Sequence, residues 1–331
     1  AKPLYTLDDV EKTMDQFKPL PFGEWQEILP GMSVKLQYAS HILGAASVRV
    51  QIDGNELVFS GDLGRAEAPI LGAPEPLGEL DYLVLESTYG DRYHPQNDPK
   101  AELAKIINQT VEQGGAVLLP AFAVGRSQVL LHTIDSLIKA GDIPELPVFL
   151  DSPMAINVTE LYRRHHADHL LSASGIKEVF SVAQMAQSVE QSKAINQLKY
   201  PRIIISASGM ATGGRVLHHL RTLVGDYRNS IVFAGFQAAG TRGARLVAGE
   251  RTIRIFGHDL PVKANVHSID GFSAHADADQ LMQWVQSASR GPKRIFLNHG
   301  EPNAAEALRL RIEHELGIDC VIPLLGQEIH L

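Results

Sequence analysis

Gly271-Phe272-Ser273-Ala274-His275-Ala276-Asp277, followed by Leu297-Asn298-His299-Gly300-Glu301, is the pair of stretches on which the reading of this chain turns. In each, a histidine sits among small, turn-prone residues at the end of an apolar run. Such a histidine can leave the end of a strand and point into a cleft. Three upstream segments match them: Ser40-His41-Ile42-Leu43-Gly44-Ala45, Phe59-Ser60-Gly61-Asp62-Leu63-Gly64 and Leu83-Val84-Leu85-Glu86-Ser87-Thr88-Tyr89-Gly90. Two imidazoles and one carboxylate on strand-end loops suit a borderline metal such as zinc. A further acid and a further histidine beside them suit proton transfer.

Working outward, the 331 residues allow one large domain or two ordinary ones. A hydrophobic content of 44% and a charged content of 21% are those of a soluble globular protein. The single cysteine, Cys320, excludes an internal disulfide and a Cys-rich zinc ribbon, and points to a reducing compartment such as the cytoplasm. No apolar run is long enough to span a membrane, and no signal peptide stands at Ala1. The net charge of −8 argues against a general basic coat for nucleic acid. A local basic groove remains open, because Arg215, Arg221, Arg242, Arg245, Arg251 and Arg254 concentrate in one stretch.

Residues 7–18 read as a short helix with Leu7, Val10, Met14 and Phe17 on one side. Residues 33–38 and 46–52 alternate as half-buried strands do. Asp53-Gly54-Asn55 turns a hairpin onto Glu56-Leu57-Val58-Phe59-Ser60. Residues 82–85 form a buried strand, and 64–78 a Gly-, Pro- and Ala-rich surface loop. From about residue 98, helices alternate with apolar strands: helices 99–113, 126–140, 153–166 and 214–224, and strands 115–122, 147–151, 202–207, 230–236 and 253–256. Near-continuous apolar strands in repeated βα units imply a parallel sheet covered on both faces. Residues 272–331 return to helix 277–288, strand 294–298, helix 303–316 and strand 320–324.

Read on their own, the chemistry-bearing residues keep structural alternatives. Asp62 between Gly61 and Gly64 can cap a turn, or leave room for a metal or phosphate. Glu86 can anchor the Ser87-Thr88-Tyr89-Gly90 turn. His275 can belong to the N-terminal cap of the helix that starts near Asp277. The run from Ser206 to Arg215 joins a strand to a helix through glycines, an arrangement that exposes backbone N–H groups to phosphate. It matches neither a Walker loop nor G-x-G-x-x-G. Similar turns occur at 237–243 and 120–127, the latter carrying Phe122, which can stack on a base or pack in the core.

In this order the segments carrying His41, Asp62, Glu86, His275 and His299 resemble the β-CASP branch of the metallo-β-lactamase superfamily. Its members are zinc-dependent nucleases, among them bacterial and archaeal ribonucleases, RNase J and the endonuclease subunit of the pre-mRNA 3′-end cleavage complex. The resemblance implies an α/β fold: a metallo-β-lactamase αββα sandwich, partial here, with an inserted α/β β-CASP domain built on a mainly parallel sheet. The expected division is 1–97 for the first lactamase segment, 98–271 for the β-CASP domain and 272–331 for the lactamase return. It further implies that His41, Asp62 and His299 ligate metal, with Asp62 bridging two Zn²⁺ ions. His275 would protonate the leaving oxygen, and Glu86 would hold its tautomer and raise its pKa. Ser208, Gly209, Thr212 and Arg215, with Thr241 and Arg242 on the second turn, would contact the RNA backbone. The paired ions would activate water and neutralise charge on the phosphate.

The superfamily's H-x-H-x-D-H run is absent from these residues. The chain therefore reads as the later part of a longer protein whose upstream segment supplies the further zinc ligands, or else as a truncated homologue without metal. The expected activity is hydrolysis of single-stranded RNA between the two domains. In relatives that act on DNA a different residue replaces His299, so RNA is expected. The approach of the end, Leu331, to the lactamase return favours an endonuclease over a 5′-exonuclease. A homodimer is compatible with the family. The alternatives are a non-catalytic RNA-binding subunit, if the upstream run is missing from the gene product, and a small-molecule hydrolase of the same fold, against which the large insertion counts.

Overall fold

The computed structural model describes residues 3–331, without the side chains of residues 173 and 174. Ala1 and Lys2, the start of the expected first segment, lie outside the described residues. Helix α1 (Leu7–Met14) is fixed at its start by a reciprocal cap between Thr6 and Asp9. It ends four residues earlier than its apolar pattern predicts, and Leu7, Val10, Met14 and the following Phe17 are all exposed. Five strands follow: β1 (Gln26–Leu29), β2 (Met32–Tyr38), β3 (Ala46–Ile52), β4 (Asn55–Phe59) and β5 (Tyr82–Glu86). The expected hairpin joins β3 to β4, with Asp53 at φ 49° and Gly54 at φ 75°. Positive φ at both central residues is what a tight two-residue turn requires.

Helices and strands then alternate. They are α2 (Pro99–Glu112), β6 (Ala116–Pro120), α3 (Arg126–Ala140), β7 (Val148–Asp151), α4 (Pro153–Arg164), α5 (Ala173–Ser181), β8 (Ala183–Met185) and α6 (Val189–Gln197). The series continues with β9 (Arg202–Ser206), α7 (Val216–Leu223), β10 (Ser230–Phe233), α8 (Arg242–Val247), β11 (Thr252–Ile255), β12 (His258–Pro261) and β13 (Asn265–Ser268). The last elements are α9 (Ala278–Gln286), β14 (Arg294–Asn298), α10 (Pro302–Leu316) and β15 (Cys320–Val321). Among the described residues no helix is long and apolar enough to cross a membrane.

Two main sheets organise these elements. Six strands pair in the order β13-β10-β6-β9-β7-β8, all parallel. Along β6, Val117 and Leu119 enter one core with α2, α3 and α4, while Leu118 enters a second core with α7. Burial on both faces is why these strands are continuously apolar. One strand expected in the series departs from it: β11 pairs antiparallel with β12 in a separate hairpin. Its burial alternates, with Ile253 and Ile255 inward and Thr252 and Arg254 outward, the mark of a one-sided strand. The sequence reading missed β1, α5, β8, α6, α8, β12 and β13. The last of these, Asn265-Val266-His267-Ser268, is an edge strand without an apolar run.

The other sheet runs β1-β2-β3-β4-β5-β14-β15. Strand β14 pairs parallel with β5, from Arg294 opposite Tyr82 to Asn298 opposite Glu86. Leu83, Leu85, Ile295 and Leu297 pack with Leu281, Val285, Leu308 and Ile312 of α9 and α10 into one core. The chain is mixed α/β, and the helix-covered parallel sheet lies in sequence between two strands that are neighbours in space.

Candidate active site

The site lies where several segments end together. Glu86 is the last residue of β5, and His299 directly follows β14. Asp62 lies in the segment after β4, His41 in the β2–β3 connection, and His275 just before α9. Short backbone bridges hold these loops against one another. Gly64 N–H donates to Ala39 O at 2.7 Å and Ala276 N–H to Leu63 O at 2.8 Å. A β-carbon at position 64 would lie 2.7 Å from the His41 nitrogen, so this close approach requires glycine.

The five residues singled out in the sequence converge. Nδ1 of His275 lies 3.1 Å from Oε1 of Glu86. Glu86 is 1% exposed, and its carboxylate also accepts from Leu63 N–H at 2.7 Å and Thr88 N–H at 3.2 Å. Burial pushes this carboxyl upward, but the bonds from His275, Thr88 and Leu63 outweigh it and hold the group below its ordinary value. Oδ1 of Asp62 lies 3.0 Å from Nδ1 of His299, and Oδ2 lies 3.9 Å from Nε2 of His41. The rings of His41 and His275 are 4.3 Å apart between centroids.

His41 is the imidazole most changed by its surroundings. Burial, reinforced by His275, lowers it to about 4, against a smaller opposing pull from Asp62 and Glu86. It is therefore neutral at physiological pH and keeps a ring lone pair. Its Nδ1 is buried without a hydrogen-bond partner. One donor atom each from His41, Asp62 and His275 falls within 4.8 Å of the others. The carboxylate of Asp62 with the neutral imidazole of His41 and the imidazole of His299 offers the oxygen and nitrogen donors that a zinc-class ion takes. His299 joins this group through Asp62, although its own side chain is 57% exposed.

Residues given no role in the sequence reading brace this centre. His94 Nε2 lies 2.9 Å from the carbonyl oxygen of His275, and His94 N–H donates to Asp277 Oδ2 at 2.9 Å. Asp277 also caps α9 by accepting from Gln280 N–H at 2.9 Å. Tyr89 packs its ring 6.0 Å from that of His275, and Arg92 lies over both Tyr89 and Phe236. His94 had no recognisable setting in the sequence. Its one signal was proximity to the Glu86–Gly90 turn.

The two glycine-rich turns lie beyond β9 and β10, at the strand ends of the parallel sheet. Ser208 Oγ accepts from Thr212 N–H at 3.1 Å and so closes the first turn on itself. Gly209 packs on Phe122, to whose backbone nitrogen an added β-carbon would come within 2.9 Å. Phe122 is 47% exposed, so its ring is not a core residue. Arg215 turns inward, donating to Asp151 Oδ1 at 2.6 Å and to the Ala186 and Gln187 carbonyls. Arg242 donates to Arg254 O at 2.9 Å and Thr212 O at 3.1 Å. Thr241 caps α8. The structure thus assembles both turns but uses the two arginines to fix their shape, while Thr212 is exposed at the rim. Asp151 itself is fully buried and also bonds His219 and Ser192.

Comparison with known proteins bears on the family and the fold. The β-CASP domain model matches residues 127–246, and the model of a Zn-dependent metallo-hydrolase RNA specificity domain matches residues 259–323. The chain is 37% identical over 340 residues to Ribonuclease TTHA0252 of Thermus thermophilus, covering 100% of this chain and 74% of that protein. It is 30% identical over 327 residues to an RNase J-like protein of Methanocaldococcus jannaschii, covering 97% and 76%. Transcription termination factor FttA of Pyrococcus abyssi is 32% identical over 339 residues, which span 97% of this chain and 52% of that protein. In fold, the chain matches a crystal structure of a protein of unknown function from Enterococcus faecalis V583. The TM-score is 0.52 at 12% identity, covering 96% of this chain and 68% of that one.

Proposed function

This chain belongs to the β-CASP family of metallo-β-lactamase-fold ribonucleases, and on that premise we propose that it hydrolyses phosphodiester bonds of single-stranded RNA in a zinc-dependent reaction. The proposed place of reaction is the cleft between a lactamase domain, residues 1–97 with 272–331, and a β-CASP domain, residues 98–271. The observation that carries the reading is the contact between His275 Nδ1 and Glu86 Oε1. Glu86 is a buried carboxylate whose other contacts are N–H donors, so it accepts from Nδ1–H and fixes the tautomer. Nε2 of His275 is then left for proton transfer, in a ring whose centroid lies 4.3 Å from that of His41.

In the proposed reaction a P–O bond forms to the oxygen of water and the P–O bond to the leaving nucleotide breaks. The imidazolium form of His275 delivers its Nε2 proton to that leaving oxygen, and the proton given up by the attacking water passes to solvent. His94 holds the backbone from which His275 projects. His41, Asp62 and His299 are the residues proposed to hold metal, as part of a two-ion site. Zinc there would supply Lewis-acid stabilisation of phosphate charge and activation of water. Thr212 and the turn behind it, with Ser208, Gly209, Arg215, Thr241 and Arg242 setting its shape, are proposed to support the RNA backbone.

The cleavage is proposed to be endonucleolytic. Zinc-supplemented protein should cut end-labelled single-stranded RNA into intermediate-length fragments early in the reaction. Duplex RNA and single-stranded DNA should be cut at least tenfold more slowly. Early release of mononucleotides alone would reverse the mode of attack. Full zinc occupancy without cleavage would leave an RNA-binding protein.

A further inference from the structure

The arginines concentrated between residues 215 and 254 divide into two groups in the folded chain. Arg215 is turned inward onto Asp151, Arg242 onto backbone carbonyls, and Arg245 onto Glu250 at 2.6 Å. Arg221 and Arg251 are exposed, and among the described residues neither has an acidic partner. Arg254 has only a loose one, Asp259 at 3.8 Å, and both side chains of that pair are mostly exposed. Such a pair contributes little and yields readily to a stronger anion. The second group therefore leaves a locally positive surface on a chain whose net charge is −8.

Phe256 stands beside these cations. It joins β11 to β12 together with Gly257, and the two have φ 48° and 80°. Positive φ at both central residues is what a tight two-residue hairpin turn requires, and Asn or Gly ordinarily supplies it. A phenylalanine in that conformation is strained. Burial does not offset the strain, because Phe256 is 46% exposed. Its ring packs against that of His218 on α7, with centroids 4.8 Å apart and the planes inclined by 33°, and His218 is exposed as well. Arg254 lies two positions back on the outward face of β11. Arg221 lies one turn from His218 along α7. A single side chain joins this patch to the first glycine-rich turn: Arg242 donates to Arg254 O at 2.9 Å and to Thr212 O at 3.1 Å. The patch is thus continuous with the rim at Thr212.

We propose that Phe256, backed by His218, is a stacking platform for a nucleobase of single-stranded RNA, with the flanking phosphates on Arg221 and Arg254. The inference rests on the ribonuclease reading, since it extends the path of the same RNA beyond the glycine-rich turn. An open aromatic ring among guanidinium groups suits a single strand, whose bases are free to stack and whose phosphates are within reach. Every base has a face to offer, so the contact adds affinity without sequence preference. Long RNA is held by it, and fragments too short to reach Phe256 leave more readily.

The test is fluorescence anisotropy of the full chain, with metal chelated so that RNA stays intact, using labelled oligouridylate and oligoadenylate over a range of salt. Phe256→Asn should weaken binding of both by about fivefold or more, with the slope of log affinity against log salt unchanged. Asparagine suits positive φ, so this variant should resist urea at least as well as the wild type, which separates a lost contact from a damaged fold. Phe256→Tyr should restore binding. Arg221→Gln and Arg254→Gln should each flatten the salt slope by about 0.7. Arg228→Gln, whose guanidinium is already taken by Asp226, should leave it unchanged. Wild-type affinity in Phe256→Asn, or a wild-type salt slope in both arginine variants, would overturn the proposal and leave the ribonuclease reading standing. No RNA binding by the wild-type chain, even at low salt, would overturn both.

Discussion

Asn298 stands opposite Glu86 in the parallel register of β14 and β5, so His299 leaves its strand beside the residue that fixes His275. Gly300 makes this junction possible. A β-carbon there would lie 2.5 Å from the Ser87 carbonyl oxygen. Gly300→Ala should therefore force the two strand ends apart, lower stability by about 1–3 kcal/mol and displace His299 from Asp62. Urea denaturation reads the first effect and zinc titration the second. Unchanged zinc affinity would remove His299 from the metal assignment.

His275→Ala should reduce single-turnover RNA cleavage by about 10²–10⁴-fold while leaving bound zinc nearly unchanged. Asp62→Ala should instead remove metal. Elemental analysis beside the rate constant distinguishes the two roles. Retention of full cleavage by His275→Ala would rule that residue out as the acid.

Removal of Asp151 should act at a distance. Its carboxylate is buried beneath the glycine-rich turn, where burial alone would raise its pKa and the bonds from His219, Ser192 and Arg215 prevail to lower it. Asp151→Ala leaves the Arg215 charge without its partner, at a cost of about 3–5 kcal/mol. Single-stranded RNA binding should weaken as the turn loosens, with zinc content preserved. Chemical denaturation and filter binding read these effects, and tight RNA binding in a destabilised variant would separate the turn from the groove.

Stability of the metal-free protein should fall in mild acid. His41 is lowered from 6.5 to about 4 in the folded chain. Between those values the unfolded chain takes up a proton that the folded chain does not, so acid favours unfolding. The His41 contribution is complete above 6.5 and is lost as pH falls toward 4. Glu86 acts in the same direction lower down: its contribution is present above 4.5 and is lost as pH falls through its depressed folded value. Urea melts across this range should show the decline, and His41→Gln should flatten its upper part.

The parts legible in the sequence were those where one local pattern decides the outcome. Continuous apolar strands announced the parallel sheet, because both faces of β6 and β9 are buried. Histidines and acids at strand ends announced His41, Asp62, Glu86, His275 and His299, which the fold brings together. What sequence could not show was partnership across distance. Arg215 carries the charge expected of an RNA contact, yet its partner Asp151 is 64 positions away and turns it inward. Arg126 opens α3 as an ordinary helix residue, and only the fold places it beside Arg65 on one cavity. Strand β11 has apolar residues enough for a buried strand, but their alternation and the positive φ of Phe256 and Gly257 make it half of a hairpin.

The site's two sides are joined late in synthesis. Glu86 and His275 are separated by 189 positions, and the whole parallel sheet is made between them. A nascent chain that has completed β5 therefore carries a carboxylate in want of its imidazole, on a sheet still lacking β14. Long-range pairings of this kind close slowly. On the proposed mechanism, proton transfer would begin only when the inserted block has folded and the chain has come back, so an unfinished molecule would be inert toward the very RNA from which it is being translated.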